Sequence, residues 1–263
     1  MSKIRQYSSA TLIIASAFLV ACGDSTGPKE PVTVDGLFAE LRDAQQSLGA
    51  ASAATSDFTL AGVPLLPFEA LPAQTNCPYE AATQRFVCPS VTRSGITSSL
   101  YYQLLDASNQ PQSAFNPATT AAIRTVNDVS GTTTTNSSTT TIDGHGDHTL
   151  SGLLTGVHTL NGSSTTAIET SITVSGSTVN SSVTLTETTT NLVLPRRGTA
   201  ERYPQSGSIS FGMTSTGGTG FDVHVTITFD GTNIATMVIT SGKSTQTCKV
   251  DLSGKKQLQC VAG

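Results

Sequence analysis

The sequence predicts an all-β domain with one N-terminal helix. The expected form is a large, curved antiparallel meander, an open sheet or half barrel, with the helix packed on its apolar face. Three observations carry the expectation. From about residue 78 apolar residues recur with period two, as in strands with one wet face. Turn signals recur every 8–14 residues over much of this stretch, too close for βαβ units. After residue 75 no helical pattern intervenes. A two-sheet β-sandwich is the alternative arrangement of the same strands.

The helix is expected over about residues 36–51. Asp35 is a suitable N-cap, and Leu37, Leu41, Ala44 and Leu48 recur at helical spacing. Residues 56–76 place Pro64, Pro67 and Pro72 among Val63, Leu65, Leu66 and Phe68, which reads as an extended connection. Beyond it, Ile168, Thr170, Ile172 and Val174 share a face, and Val179, Val183 and Leu185 run back. Ile209, Phe211 and Met213 repeat the theme, as do Val223, Val225, Ile227 and Phe229 before the hairpin signal Asp230-Gly231. Further turns are expected at Gly131, Asp143-Gly144, Asn161-Gly162, Gly176 and Gly217-Gly218. The low-complexity run from Gly131 to Thr141 fits a hairpin better than an O-glycosylated stalk, because it lacks Pro and the strand pattern resumes after it.

The chain has 263 residues, of which 43 are Thr and 32 Ser. Charged residues make up only 12%, and the net charge of −4 gives no basic footprint for nucleic acid. Thr is β-branched and polar, so it suits strands while keeping one face wet. It supplies the solvent-facing polarity that Lys and Glu supply elsewhere.

Residues 1–21 read as a signal peptide. Lys3 and Arg5 precede an apolar stretch, Ala10 to Val20, too short to span a bilayer. It ends in Leu19-Val20-Ala21-Cys22, which resembles the bacterial lipobox. That resemblance implies cleavage after Ala21 and lipidation of Cys22. Residues 22–33, with Gly, two Pro, mixed charge and no periodic apolar pattern, read as the lipidated cysteine and a flexible tether, and residues 34–263 as a single β-rich domain. Gly23, rather than Asp, follows the cysteine, which favours the outer membrane in a Gram-negative cell. The chain as a whole resembles Thr/Ser-rich envelope lipoproteins of environmental Gram-negative bacteria. The resemblance implies a membrane partner through the lipid at Cys22 and says nothing of chemistry.

Cys77, Cys88, Cys248 and Cys260 remain, an even number suited to disulfides outside the cytoplasm. Of three possible connectivities, local pairing is favoured because each couple brackets an apparent hairpin. Zinc is the alternative, but neither couple has the usual Cys-x2–4-Cys spacing.

Motifs for chemistry are sparse. In Asp143-Gly144-His145-Gly146-Asp147-His148, an extended backbone would put Asp143, His145 and Asp147 on one face and His148 on the other. Such residues are weak metal candidates. No Gly-x-Ser-x-Gly, His-Glu-x-x-His, Walker or EF-hand pattern is present. Arg196-Arg197 could meet an anionic glycan or phospholipid head group, or form a solvated turn. His224 is expected to face solvent. The expectation is a non-catalytic envelope lipoprotein, structural or adhesive, with no cofactor. A carrier for a lipid or other apolar ligand is the first alternative, and a metal-dependent enzyme the second.

Overall fold

The computed structural model describes residues 77–135, 137–174, 177–195, 200–217, 222–253 and 259–262. Cys22, the tether, the expected helix over residues 36–51 and Arg196-Arg197 lie outside the described residues. What is described is all-β. Fourteen strands form one antiparallel sheet: β1 Tyr79–Glu80, β2 Arg85–Val87, β3 Val91–Arg93, β4 Ile96–Asp106, β5 Pro111–Gln112, β6 Thr120–Thr134, β7 Ser138–Ser151, β8 Thr159–Val174, β9 Ser177–Val193, β10 Ser206–Thr216, β11 Asp222–Phe229, β12 Ile234–Ser241, β13 Ser244–Asp251 and β14 Gln259–Ala262. The sheet is single and does not close, so the half-barrel expectation holds against the sandwich.

From β6 to β14 the spatial order repeats the chain order. Before that, β4 anchors the first edge. One side of it pairs with β6, and the other receives β3 at Ile96–Ser98, β2 at Tyr101–Tyr102 and β5 at Leu104–Leu105. The β3–β4 reversal uses Ser94 and Gly95, both with positive φ (51° and 84°), the twist that a two-residue hairpin needs.

Register fixes which residues share a face. One row runs Leu104, Ile123, Leu150, Leu160, Leu192 across β4 and β6 to β9. The next runs Tyr102, Thr125, His148, Gly162, Thr189, Ile209, Ile227, Met237 and Cys248, reaching Cys260 on β14. These rows form the middle of one buried cluster, to which Phe115, Leu153 and Tyr203 are added from loops. A flat single sheet cannot bury one face to this degree, so the sheet curls around its own side chains. Each fully buried Leu or Ile contributes about 1.5–3 kcal/mol, which makes this inner face the main source of stability.

Three expected turns are strand interiors instead. Gly131 lies in β6, Asp143-Gly144 in β7 and Asn161-Gly162 in β8. Their glycines serve close approach rather than reversal. A Cβ at Gly131 would sit 2.1 Å from the Gly95 carbonyl oxygen, one at Gly144 2.7 Å from Val129 Cγ1, and one at Gly162 2.5 Å from His148 Cδ2. Gly162 also marks a register shift against β9. The reversals expected near Gly176, Gly217-Gly218 and Asp230-Gly231 do fall between strands, and Thr134 pairs with Thr139 in the expected Thr-rich hairpin.

Both cysteine couples are local disulfides, Cys77–Cys88 and Cys248–Cys260, with Cα atoms 4.2 and 4.0 Å apart. Each closes one end of the sheet: the first ties β1 to β2, and the second bridges the directly opposed Cys248 and Cys260 of β13 and β14. Closing loops of this length stabilises by about 3 kcal/mol in the chain-entropy model. Thiol titration of the unfolded, unreduced chain is therefore expected to find none of these four cysteines free. Replacing Cys248 and Cys260 together by Ser should lower the urea midpoint by an amount equivalent to about 3 kcal/mol.

Candidate functional site

The inner face carries one polar cluster among its apolar rows. Period two places His148 beside Leu150 on β7, and Glu187 beside Leu185 on β9, so both side chains point into the core. His148 is 2% exposed and Glu187 5%. His148 Nε2 lies 2.9 Å from Glu187 Oε2. Ser164 of β8 donates to the same oxygen at 3.4 Å, and Thr189 donates to Glu187 Oε1. Thr125 donates to the His148 carbonyl at 3.4 Å. The missing side chain at Gly162 is what admits the imidazole.

Chemically this cluster surrounds a buried carboxyl group with polar partners. Ser164 Oγ directs its hydroxyl to the Glu187 carboxylate. Burial also keeps the imidazole from solvent. The group works as a polar tie between β7, β8 and β9.

The outer face carries the acidic side of the expected metal cluster. β7 is extended as expected, with Asp143, His145 and Asp147 on the outside and His148 on the inside. Other strands take up these groups. Arg124 of β6 grips Asp147 through three bonds, Nε to Oδ1 at 2.9 Å and to Oδ2 at 3.2 Å, and Nη2 to Oδ2 at 2.5 Å. Asp128 of β6 meets His145 Nδ1 at 2.7 Å. Among the described residues no group of three or more His, Cys, Asp or Glu side chains is placed to hold a metal ion. The Arg124 guanidinium holds the Asp147 carboxyl below its ordinary range, against the opposing effect of partial burial. Next along this face, Arg85 stacks over the Tyr101 ring at 4.2 Å. His224 is exposed as expected and meets Asp222 at 3.1 Å.

At the far end of the long strands lies a solvent-open depression of about 350 Å³. Its lining is hydroxyl-rich, including Thr139, Thr141, Ser171, Ser182 and Thr216, with Glu169 and Asn180. Glu187, Ser164, Thr189, Arg124 and Asp128 belong to no motif in the sequence. One signal was available for Glu187: it is a charge at an apolar position of the alternation Val183, Leu185, Glu187.

The comparisons name no relative. No protein-family model matches the chain, and neither the curated proteins nor the solved structures give a match.

Two predictions follow from this geometry. Glu187→Ala removes the carboxyl group that His148, Ser164 and Thr189 meet in an apolar setting and should cost about 3–5 kcal/mol, measured by urea unfolding. The double variant His148→Leu/Glu187→Leu should cost less than the sum of its singles, because neither partner is left alone. The second concerns acid. Asp147 has a depressed folded pKa, so its contribution is present above the unfolded carboxylate pKa and is lost as pH falls through the folded value. Asp147→Asn should therefore lower stability modestly above that acid window, match the parent below it, and flatten the decline between the two. The ion pair is half exposed, so the difference is expected to be modest and to shrink in salt.

Proposed function

We propose that this chain is a non-catalytic, lipid-anchored protein of the bacterial cell envelope, structural or adhesive in role. It is tethered through Cys22 to the outer membrane. The observation that carries the reading is the lipobox-like Leu19-Val20-Ala21-Cys22 behind a short apolar stretch. Two disulfides in the domain that follows support an oxidising compartment, since structural disulfides are rare where thiols are kept reduced. The outer sheet face supports a structural or adhesive role. Its rows are rich in Thr and Ser, with cross-strand hydroxyl pairs such as Thr132 with Thr141 (3.1 Å) and Ser210 with Thr226 (3.1 Å). Such a face stays soluble at low charge and offers hydrogen bonds of either sense to another polar surface.

A second reading, a carrier of a lipid or other apolar ligand, is favoured by one observation. The apolar rows of the inner face continue past the buried core into half-exposed positions such as Ile142, Ile168 and Leu185. Solvent extraction of the purified protein followed by mass spectrometry tests it. A stoichiometric apolar molecule would replace the structural reading with the carrier.

For the anchor, the expected outcome is an N-terminal peptide beginning at Cys22 with its mass raised by acyl groups. Cys22→Ser should move the protein from the membrane fraction to the soluble one. An unmodified residue 22 in membrane-bound protein would rule the anchor out.

A further inference from the structure

The hollow at the far end of the long strands belongs to the outer face, and register sets its lining in two rows. One row runs Thr139, Ser171, Asn180 across β7, β8 and β9. The other runs Thr141, Glu169, Ser182, Thr216 and reaches β10. Glu169 thus stands between Thr141 and Ser182 across the strands, and two residues from Ser171 along its own. Directly opposed neighbours in such rows are about 5 Å apart, so its carboxylate shares the hollow with hydroxyl groups on three sides.

The protein leaves these groups unused. Elsewhere on the outer face hydroxyls pair across strands, as Ser210 does with Thr226. At the rim of the hollow Thr141 still pairs with Thr132 of β6 at 3.1 Å. Inside it, the side chains of Glu169, Ser171, Asn180, Ser182 and Thr216 make no hydrogen bond or ion pair among the described residues.

The lining narrows the ligand. Every residue in it is Thr, Ser, Asn, Gly or the single Glu169. Sites for apolar molecules are walled by hydrophobic and aromatic side chains, which is the opposite composition. An acidic molecule would set like charge against the Glu169 carboxylate, at a cost of several kcal/mol when the two are close. A molecule with many hydroxyls and no acid group suits every group present.

We infer that this hollow binds a saccharide without acidic groups. The Glu169 carboxylate accepts from two neighbouring sugar hydroxyls, while Ser171, Asn180 and Ser182 each donate to or accept from others. Its volume of about 350 Å³ is at the small end for ligand sites and has room for about one or two sugar rings. Because the hollow is open, one sugar unit is held weakly, and many anchored copies on one polysaccharide supply the strength. This gives the adhesive role of the proposed function its ligand, and rests on that reading only for the place in the envelope.

The test titrates the full chain carrying Cys22→Ser, isotope-labelled for amide spectra, with maltotriose, the glucosamine trimer, the galacturonic acid trimer and trilysine. Maltotriose and the glucosamine trimer are expected to shift amides around Glu169 at millimolar concentration, and the other two to shift none. Glu169→Ala should weaken binding about tenfold or more, as loss of a hydrogen bond to a charged group does. Glu169 is exposed, so the urea midpoint should not move. Ser182→Leu, which intrudes on the same hollow, is the second variant and should weaken binding likewise. Shifts absent with both sugars, shifts centred elsewhere, or unchanged affinity in Glu169→Ala overturn the assignment. Equal binding of the galacturonic acid trimer, or of trilysine, overturns it too, since the hollow then does not select a non-acidic sugar. None of these outcomes alters the mass of the Cys22 peptide from the unsubstituted protein, so loss of the site and loss of the anchor are read separately.

Discussion

An open sheet of this width has one face that must be hidden from water and, among the described residues, no partner sheet to hide it. Everything described depends on how that is met. Antiparallel register from β6 to β13, shifted at the β8–β9 and β9–β10 irregularities, keeps the apolar rows on the same side, and a slip of one residue along a whole strand would turn its apolar set outward. The curl then closes that side over Leu104, Ile123, Leu192, Ile209 and Met237. The glycines of β7 and β8 belong to the same constraint. Where strands press together around the His148 imidazole and the Val129 side chain, only an absent Cβ leaves room.

Period-two alternation made the architecture legible. Val, Ile, Leu and Phe set against Thr and Ser mark a face directly, and the Asp230-Gly231 and Thr-rich hairpins fall where local chemistry puts them. Glycine was the misleading signal. Gly131, Gly144 and Gly162 look like reversals in a one-dimensional reading, because the sequence does not say which neighbouring strand will crowd them. The same limit hid the polar cluster. Glu187 at an apolar parity is visible as an anomaly, but its partner His148 stands 39 residues earlier. Only the register of β7, β8 and β9 brings the two together.

The histidine-rich stretch of β7 shows how alternation separates roles. Its acidic and basic groups divide between two faces and are then matched to partners from different strands: Arg124 and Asp128 outside, Glu187 inside. A run that resembles a metal motif when read linearly becomes two unrelated polar ties. Thr supports both faces, since its methyl group tolerates half-burial while its hydroxyl bonds across the strand gap.

The placement of the first disulfide decides how the domain takes a mechanical load. Tension arriving from the N-terminal side reaches Cys77, crosses the sulfur–sulfur bond to Cys88 and bypasses the β1–β2 hairpin altogether. No hydrogen bond of that hairpin stands in series with the pull. From Cys88 the load passes to the contact between its amide and the Leu100 carbonyl on β4, a strand braced along its other side by β6. An extended chain entering at a sheet edge is ordinarily where unzipping begins. Here that edge is bolted, and force passes to the widest-paired strand of the first half of the sheet.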